Sequence, residues 1–191
     1  MRTRWMAIAI GLFVAGAATP LRAEDAAEAR VIDGLARAYP TPKALATFLH
    51  RTFTFTHDEE LFGREDYWQS PEEFLTRKAG DCEDYAILAQ AVLRHHGIRA
   101  YLFSVFGEGG YAHTVCVFVD EHGRYNILNQ DRLRYYQASS LEALASLLCP
   151  AWTFGGIAER AGTRGRLVQK IVNTQPAPTL LVMNPVPGSS F

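Results

Sequence analysis

The chain has 191 residues, 48% of them hydrophobic and 20% charged, with a formal net charge of −1. That length is enough for one domain with a real core. Nothing in the near-neutral balance looks like a nucleic-acid footprint, which needs a basic face.

Met1-Arg2-Thr3-Arg4 is a basic start, Trp5 to Ala18 is a short apolar run rich in small residues, and Leu21-Arg22-Ala23 precedes Glu24. This pattern reads as a Sec-type signal peptide over residues 1–23, which predicts a periplasmic or secreted protein. The alternative is an uncleaved amino-terminal anchor. Removal would take away Arg2, Arg4 and Arg22 and no acid, moving the net charge from −1 to −4. No later apolar run is long enough to span a bilayer, so no stable membrane span is expected after cleavage.

Ala26 to Tyr39 has helical spacing at Val31, Ile32, Leu35 and Ala38. Thr41-Pro42 starts a second helix through Leu45, Phe48 and Leu49, with threonine as cap and proline in the first turn. Phe53 to Thr56 alternates but is short, and Asp58 to Trp68 is polar and aromatic and reads as a surface loop. Ser70-Pro71-Glu72-Glu73 is a capping box for a short helix that stops near Gly80. Asp81 then caps a helix carrying Tyr85, Ile87, Leu88, Ala91, Val92 and Leu93, apolar on most sides and ended by Gly97. Such a helix is expected to be central and buried.

After Gly97 the period changes. Ile98 to Val105 is strand-like, Gly107 to Gly110 is a flexible turn, and Tyr111 to Val119 is a strand. Asp120 to Gly123 makes a hairpin turn into a third strand, Arg124 to Leu128. Ser140 caps a last helix, Leu141 to Leu148, and Arg166 to Val172 fits a further strand. Residues 24–173 form the expected domain, and 174–191 a tail rich in proline and small residues. Helices followed by an antiparallel meander predict an α+β fold.

Three cysteines, Cys82, Cys116 and Cys149, are too few for a disulfide scaffold. In an oxidising compartment their odd number leaves one free thiol or one intermolecular bond. Cys116 lies in an apolar strand pattern and Cys149 ends an apolar helix pattern, so both read as core thiols or as one bridge. Cys82 opens the central helix, where the aligned peptide dipoles favour a thiolate, so a depressed pKa is expected. His113, on the strand Tyr111 to Val119, is the candidate base. Alternation puts it on the face of Val115 and Val117 and turns Cys116 away. The pair forms if that face packs on the start of the Cys82 helix. The hairpin brings residues near Asn129 opposite His113, so either Asn129 or Asp131 can orient the imidazole. The plainer alternative is a structural cysteine and a core histidine. A zinc site on Cys82, His113 and Cys116 is disfavoured, because His113 and Cys116 face opposite sides.

Tyr67-Trp68, Pro71, Glu73, the run Gly80-Asp81-Cys82-Glu83-Asp84-Tyr85-Ala86, Gly97-Ile98, Ala100 and Ala112-His113 together resemble the bacterial transglutaminase-like cysteine proteinases. The resemblance covers about Phe53 to Leu133 and implies a papain-like core, its nucleophile helix packed on an antiparallel sheet. It implies Cys82 as nucleophile and His113 as base. Where the family commonly has aspartate as third member, this chain has Asn129, with Asp131 two residues on. It also implies calcium held by the acids flanking the cysteine, Asp81 and Glu83, whose alternative role is helix capping. Crosslinking transglutaminases usually place tryptophan after the cysteine. Glu83 stands there, so transfer to water is expected. The resemblance thus implies an exported thiol protease forming a thioester acyl-enzyme on a protein or peptide of the cell envelope. The competing expectation is a catalytically silent binding module on the same fold.

Overall fold

A computed structural model describes residues 23–174. The expected signal segment up to residue 22 and the tail beyond 174 lie outside the described residues. Among the described helices, none is long and apolar enough to cross a membrane.

Two helices come first, α1 (Ala23–Ala38) and α2 (Pro42–Thr52). Thr41 Oγ1 caps α2 by accepting from Ala44 N at 3.1 Å. A two-residue strand, β1 (Thr54–Phe55), pairs in parallel with β2 (Ala79–Gly80), just ahead of the cysteine. The segment expected to be a loop contains a short helix, α3 (Asp58–Phe62), closed by Gly63 in left-handed conformation. Three acids in its first turn, Asp58, Glu59 and Glu60, suit the positive end of the helix. The Ser70 capping box forms as expected and starts α4 (Pro71–Arg77). Ser70 Oγ accepts from Glu73 N at 3.2 Å, and Glu73 Oε2 from Ser70 N at 2.7 Å.

The central helix is α5 (Cys82–His95). Leu88, Ala89 and Val92 are fully buried, and Tyr85 packs its ring edge on Phe53 and Phe74, which stack at 4.1 Å. The sheet follows: β3 (Ala100–Gly107), β4 (Ala112–Val119), β5 (Tyr125–Asn129), β6 (Arg132–Ala138), then α6 (Leu141–Leu148), β7 (Trp152–Ala161) and β8 (Arg164–Val172). Its order is β6-β5-β4-β3-β7-β8, every pair antiparallel.

Alternation sorts the strand residues onto two cores. Leu102, Cys116, Phe118 and Leu128 pack with α5, and Phe103, Val105, Val115, Val117 and Ile127 pack with α6. Cys116 and Cys149 therefore belong to opposite cores, and all three thiols are free. The α+β architecture is as expected.

Candidate active site

The run from Gly80 to Tyr85 is a sequence of local requirements. At Gly80 a Cβ would stand 2.1 Å from Asp84 Oδ2 and 2.7 Å from Gln69 Nε2, so only glycine fits. Asp84, buried, reaches back over the helix start. It accepts from Gln69 N at 2.8 Å, from Gln69 Nε2 at 2.6 Å and from Asp81 N at 3.2 Å. Burial nevertheless lifts its carboxyl to about 7. Gln69 is fully buried and ties the chain before α4 to the nucleophile helix, since its Nε2 also donates to Ala79 O at 3.0 Å.

Cys82 opens α5 as expected, but its thiol is not depressed. Burial pushes its pKa well above the ordinary thiol range, and the Glu83 and Asp81 charges push it further. The backbone N–H of Thr114, which faces the sulfur, pulls the other way. The thiol donates to Glu83 Oε2 at 3.1 Å. Two carboxylates share this helix start with the half-buried thiol, and their charge and its desolvation outweigh the helix dipole.

His113 Nε2 lies 2.9 Å from Asn129 Oδ1. An amide oxygen only accepts, so Nε2 carries the proton and Nδ1 keeps its lone pair. Burial lowers the His113 pKa, against the Asn129 bond and the Asp81 charge, which both raise it. Asp131 does not share this place. The strand stops at Asn129, Gln130 takes a left-handed conformation (φ 52°), and Asp131 Oδ2 pairs with His50 Nδ1 of α2 at 2.6 Å. The parity argument for Asp131 needed the strand to continue.

The face condition also resolves differently from the expectation. The Val115 and Val117 side of β4 packs on α6, and α5 covers the Cys116 side. The sulfur approaches β4 at its beginning, against the Thr114 amide one residue from His113. Cys82 and His113 are not hydrogen-bonded to each other among the described contacts, although Asp81 acts electrostatically on both.

Around the nucleophile stands a larger acidic group than the flanking pair. One carboxylate oxygen each from Asp58, Asp66 and Glu83 lies within 4.8 Å of the others. The same holds for Asp58, Asp81 and Asp84, and, with the sulfur as one ligand, for Asp81, Cys82 and Glu83. Burial, helped by Asp81 and Asp66, lifts Asp58 to about 6, and Glu83 stands far above the carboxylate range through burial and Asp81. Asp58 Oδ2 accepts from Tyr67 N, while Asp58 Oδ1 and Asp81 Oδ1 are buried without a hydrogen-bond partner. Among the described residues no Lys, Arg or His pairs with any of the five acids. Sequence reasoning named Asp81 and Glu83 and missed Asp58, Asp66 and Asp84. Three acids in the first turn at Asp58 were the available signal.

A family model described as the transglutaminase-like superfamily matches residues 25–137, from α1 to β6. The chain belongs to that superfamily. A UPF0252 protein of Archaeoglobus fulgidus is 34% identical over 71 residues, which make up 37% of this chain and 23% of the relative. The chain thus spans about a quarter of the curated relative it matches. Among solved structures, EGTA-treated LapG of Legionella pneumophila is similar with TM-score 0.45 and 21% identity, over 69% of this chain and 73% of that one. A candidate cysteine protease of Cytophaga hutchinsonii has TM-score 0.44 and 13% identity, over 76% of this chain and 50% of that one.

Proposed function

We propose that the protein is an exported cysteine hydrolase that cleaves a peptide bond in a protein or peptide of the cell envelope. The observation that supports this most is the His113–Asn129 pair at 2.9 Å, with a free Nδ1, beside a cysteine that opens the buried helix of a transglutaminase-like fold.

In this reading Cys82 Sγ attacks the scissile carbonyl while His113 Nδ1 takes the thiol proton. The C–S bond forms, the C–N bond breaks, and the amine leaves with the proton from His113. Water, deprotonated by His113, then splits the thioester to a carboxylic acid and the thiol. Asn129 holds the imidazole in the tautomer that leaves Nδ1 unprotonated. The Cys82 N–H, at the first position of α5 and so without an intrahelical partner, is the oxyanion donor.

The acids fit a hard cation. Calcium prefers carboxylate oxygens, and two buried, unpartnered oxygens, Asp58 Oδ1 and Asp81 Oδ1, belong to one cluster. Asp81 and Glu83, with Asp58 and Asp66, would hold it. Bound there, it would supply positive charge against the carboxylates that disfavour the thiolate.

The second reading is a silent binding module, favoured by one observation: the thiol is turned to Glu83 and not to His113. The two separate in one experiment. The protein and its Cys82→Ala variant are incubated with envelope extract in calcium or in chelator, and new amino termini are mapped by mass spectrometry. Termini that require Cys82 support the hydrolase; identical termini in both proteins support the module.

A further inference from the structure

Between β3, β7, β8 and the chain before α4 lies a pocket of about 250 Å³. Trp68, Ser104 and Ala158, all buried, form its floor, and Phe106 and Leu167 its sides. Its floor is held from several directions. Trp68 Nε1 donates to Asp66 Oδ1 at 2.9 Å, Trp68 N to Thr163 O at 3.1 Å, and Arg160 Nε to Trp68 O at 3.1 Å. Strand β8 lies so close over the indole that a Cβ on Gly165 would stand 2.1 Å from Trp68 Cζ2. Phe106 is fixed by stacking on Phe154 at 4.5 Å.

Two links join this pocket to the nucleophile. Ser104 Oγ on the floor is 2.8 Å from Thr114 Oγ1, and the Thr114 N–H faces the Cys82 sulfur. Asp66 on the rim belongs to the carboxylate group that includes Asp58 and Glu83. The space is below the roughly 300–1,000 Å³ typical of a whole small-molecule site, and suits one side chain.

We propose that this pocket is a specificity subsite taking one medium-sized apolar side chain of the peptide substrate. The proposal rests on the reading of Cys82 as nucleophile. The lining decides the chemistry. The floor hydroxyl is already satisfied by Thr114, and none of the buried unpartnered polar atoms lies on residues that line the pocket. The two charged lining residues, Asp66 and Arg166, are exposed at the mouth and already engaged, Asp66 by Trp68 Nε1 and Arg166 by Glu159 Oε2 at 3.5 Å. A polar or charged side chain reaching the floor would lose its hydration and find no free partner there, whereas an apolar one covers Trp68 and Leu167. Leu167 is the side wall whose size sets the fit.

The test uses peptidyl chloromethyl ketones that share one backbone and carry Gly, Leu, Phe, Lys or Glu at each of the two positions nearest the reactive carbon. The full chain, its Leu167→Ala and its Leu167→Phe variants are treated in calcium, and alkylation of Cys82 is timed by mass spectrometry, with iodoacetamide as the reference reagent. At one position Leu is expected to react about 10-fold or more faster than Gly, Lys or Glu, as pocket filling by a few methylenes gives. Leu167→Phe should erase that preference while keeping the Gly rate, and Leu167→Ala should move it towards Phe. Equal rates for all side chains, or a preference unchanged in both variants, would overturn the subsite. Cys82 alkylated by iodoacetamide but by no ketone would overturn it too. A Cys82 that even iodoacetamide leaves untouched would overturn the nucleophile reading beneath it.

Discussion

Raising the pH in the absence of divalent cations should destabilise this protein, and calcium should cancel the effect. Asp58 stands at about 6 in the folded chain against an ordinary 3.8, and Asp84 at about 7. A carboxyl whose folded value is raised stabilises fully below its unfolded value, and that contribution is lost as pH climbs through the folded one. Each pH unit of displacement is worth about 1.4 kcal/mol. Asp58 alone therefore costs the folded state about 3 kcal/mol once it must ionise. Asp84 contributes further but not additively, since both carboxyls feel Asp81. His113 works in the opposite sense, because burial lowers its pKa and stability is lost as pH falls from 6.5 towards the folded value. For a domain of this size a loss of about 3 kcal/mol lowers Tm by about 6–12 °C. The assay is a thermal melt of the chain in EGTA at pH 5, 6, 7 and 8, repeated with millimolar calcium. Tm should fall steadily with pH in EGTA and hold nearly level in calcium, where the cation replaces the protons. A Tm in EGTA that is flat or rises from pH 5 to 8 would refute the reasoning.

Three more perturbations follow from the same geometry. Iodoacetamide should label Cys82 slowly at pH 8 in chelator and several-fold faster in calcium, followed by peptide mass spectrometry; equal rates would show that the flanking acids do not control the thiol. Asn129→Ala should lower turnover at least about 100-fold by releasing the imidazole from its tautomer, while Asp131→Ala loses the solvent-accessible contacts to His50 and Arg132 and should cost under about 1 kcal/mol of stability with turnover preserved; the reverse ranking in steady-state rates would return the orienting role to Asp131. Asp84→Ala strands Gln69 N, Gln69 Nε2 and Asp81 N, of which the two Gln69 bonds are buried, and should cost about 3 kcal/mol or more in chemical denaturation; a loss under 1 kcal/mol would mean the clamp at the helix start is not needed.

Much of this structure was legible because local rules and tertiary packing agree. The Ser70 box, the Cys82 helix with its Gly97 end, the strand around Val115 and the Ser140 cap each satisfy a propensity and a burial pattern at once. Two strands of the six-stranded sheet were not legible. β6 is an edge strand exposed on both sides, so Arg132 to Gln137 shows no alternation. β7 carries Gly155-Gly156 in mid-strand, which reads as a break. Those glycines answer close neighbours, since a Cβ at 155 would stand 2.8 Å from Ser104 O and one at 156 would stand 1.8 Å from Gln169 O. At the site, Cys82, His113 and the alternatives Asn129 and Asp131 could be named as candidates from helix start, strand and hairpin spacing. Asp58, Asp66 and Gln69 could not, because they reach the site only through the path of the chain between β1 and α4. The thiol's raised pKa was illegible for the same reason: the dipole of α5 is visible in sequence, and the burial and converging acids that outweigh it are not.

Under the proposed roles, the electrostatics also decide the kind of cysteine chemistry. A thiol raised by burial and by Glu83 and Asp81, beside an imidazole lowered by burial, gives a resting pair that is neutral on both sides. Proton transfer then has to accompany attack, with His113 acting as general base, because no thiolate–imidazolium pair stands ready beforehand. In that setting an asparagine at 129 is consistent with its surroundings. It fixes the tautomer through Oδ1 without adding a further negative charge to a site where the Asp81 and Glu83 carboxyls already stand against the sulfur. An aspartate there would stabilise the imidazolium but would further oppose the thiolate that must form next to it. Asp81 and Glu83 would hold a cation on the side of the other partner, where its charge would lower the cost of negative charge at sulfur. Under the proposed roles the orienting residue and the acid cluster address different halves of one proton transfer, and a neutral orienter is the choice that would leave the thiolate half to a cation held by the acids.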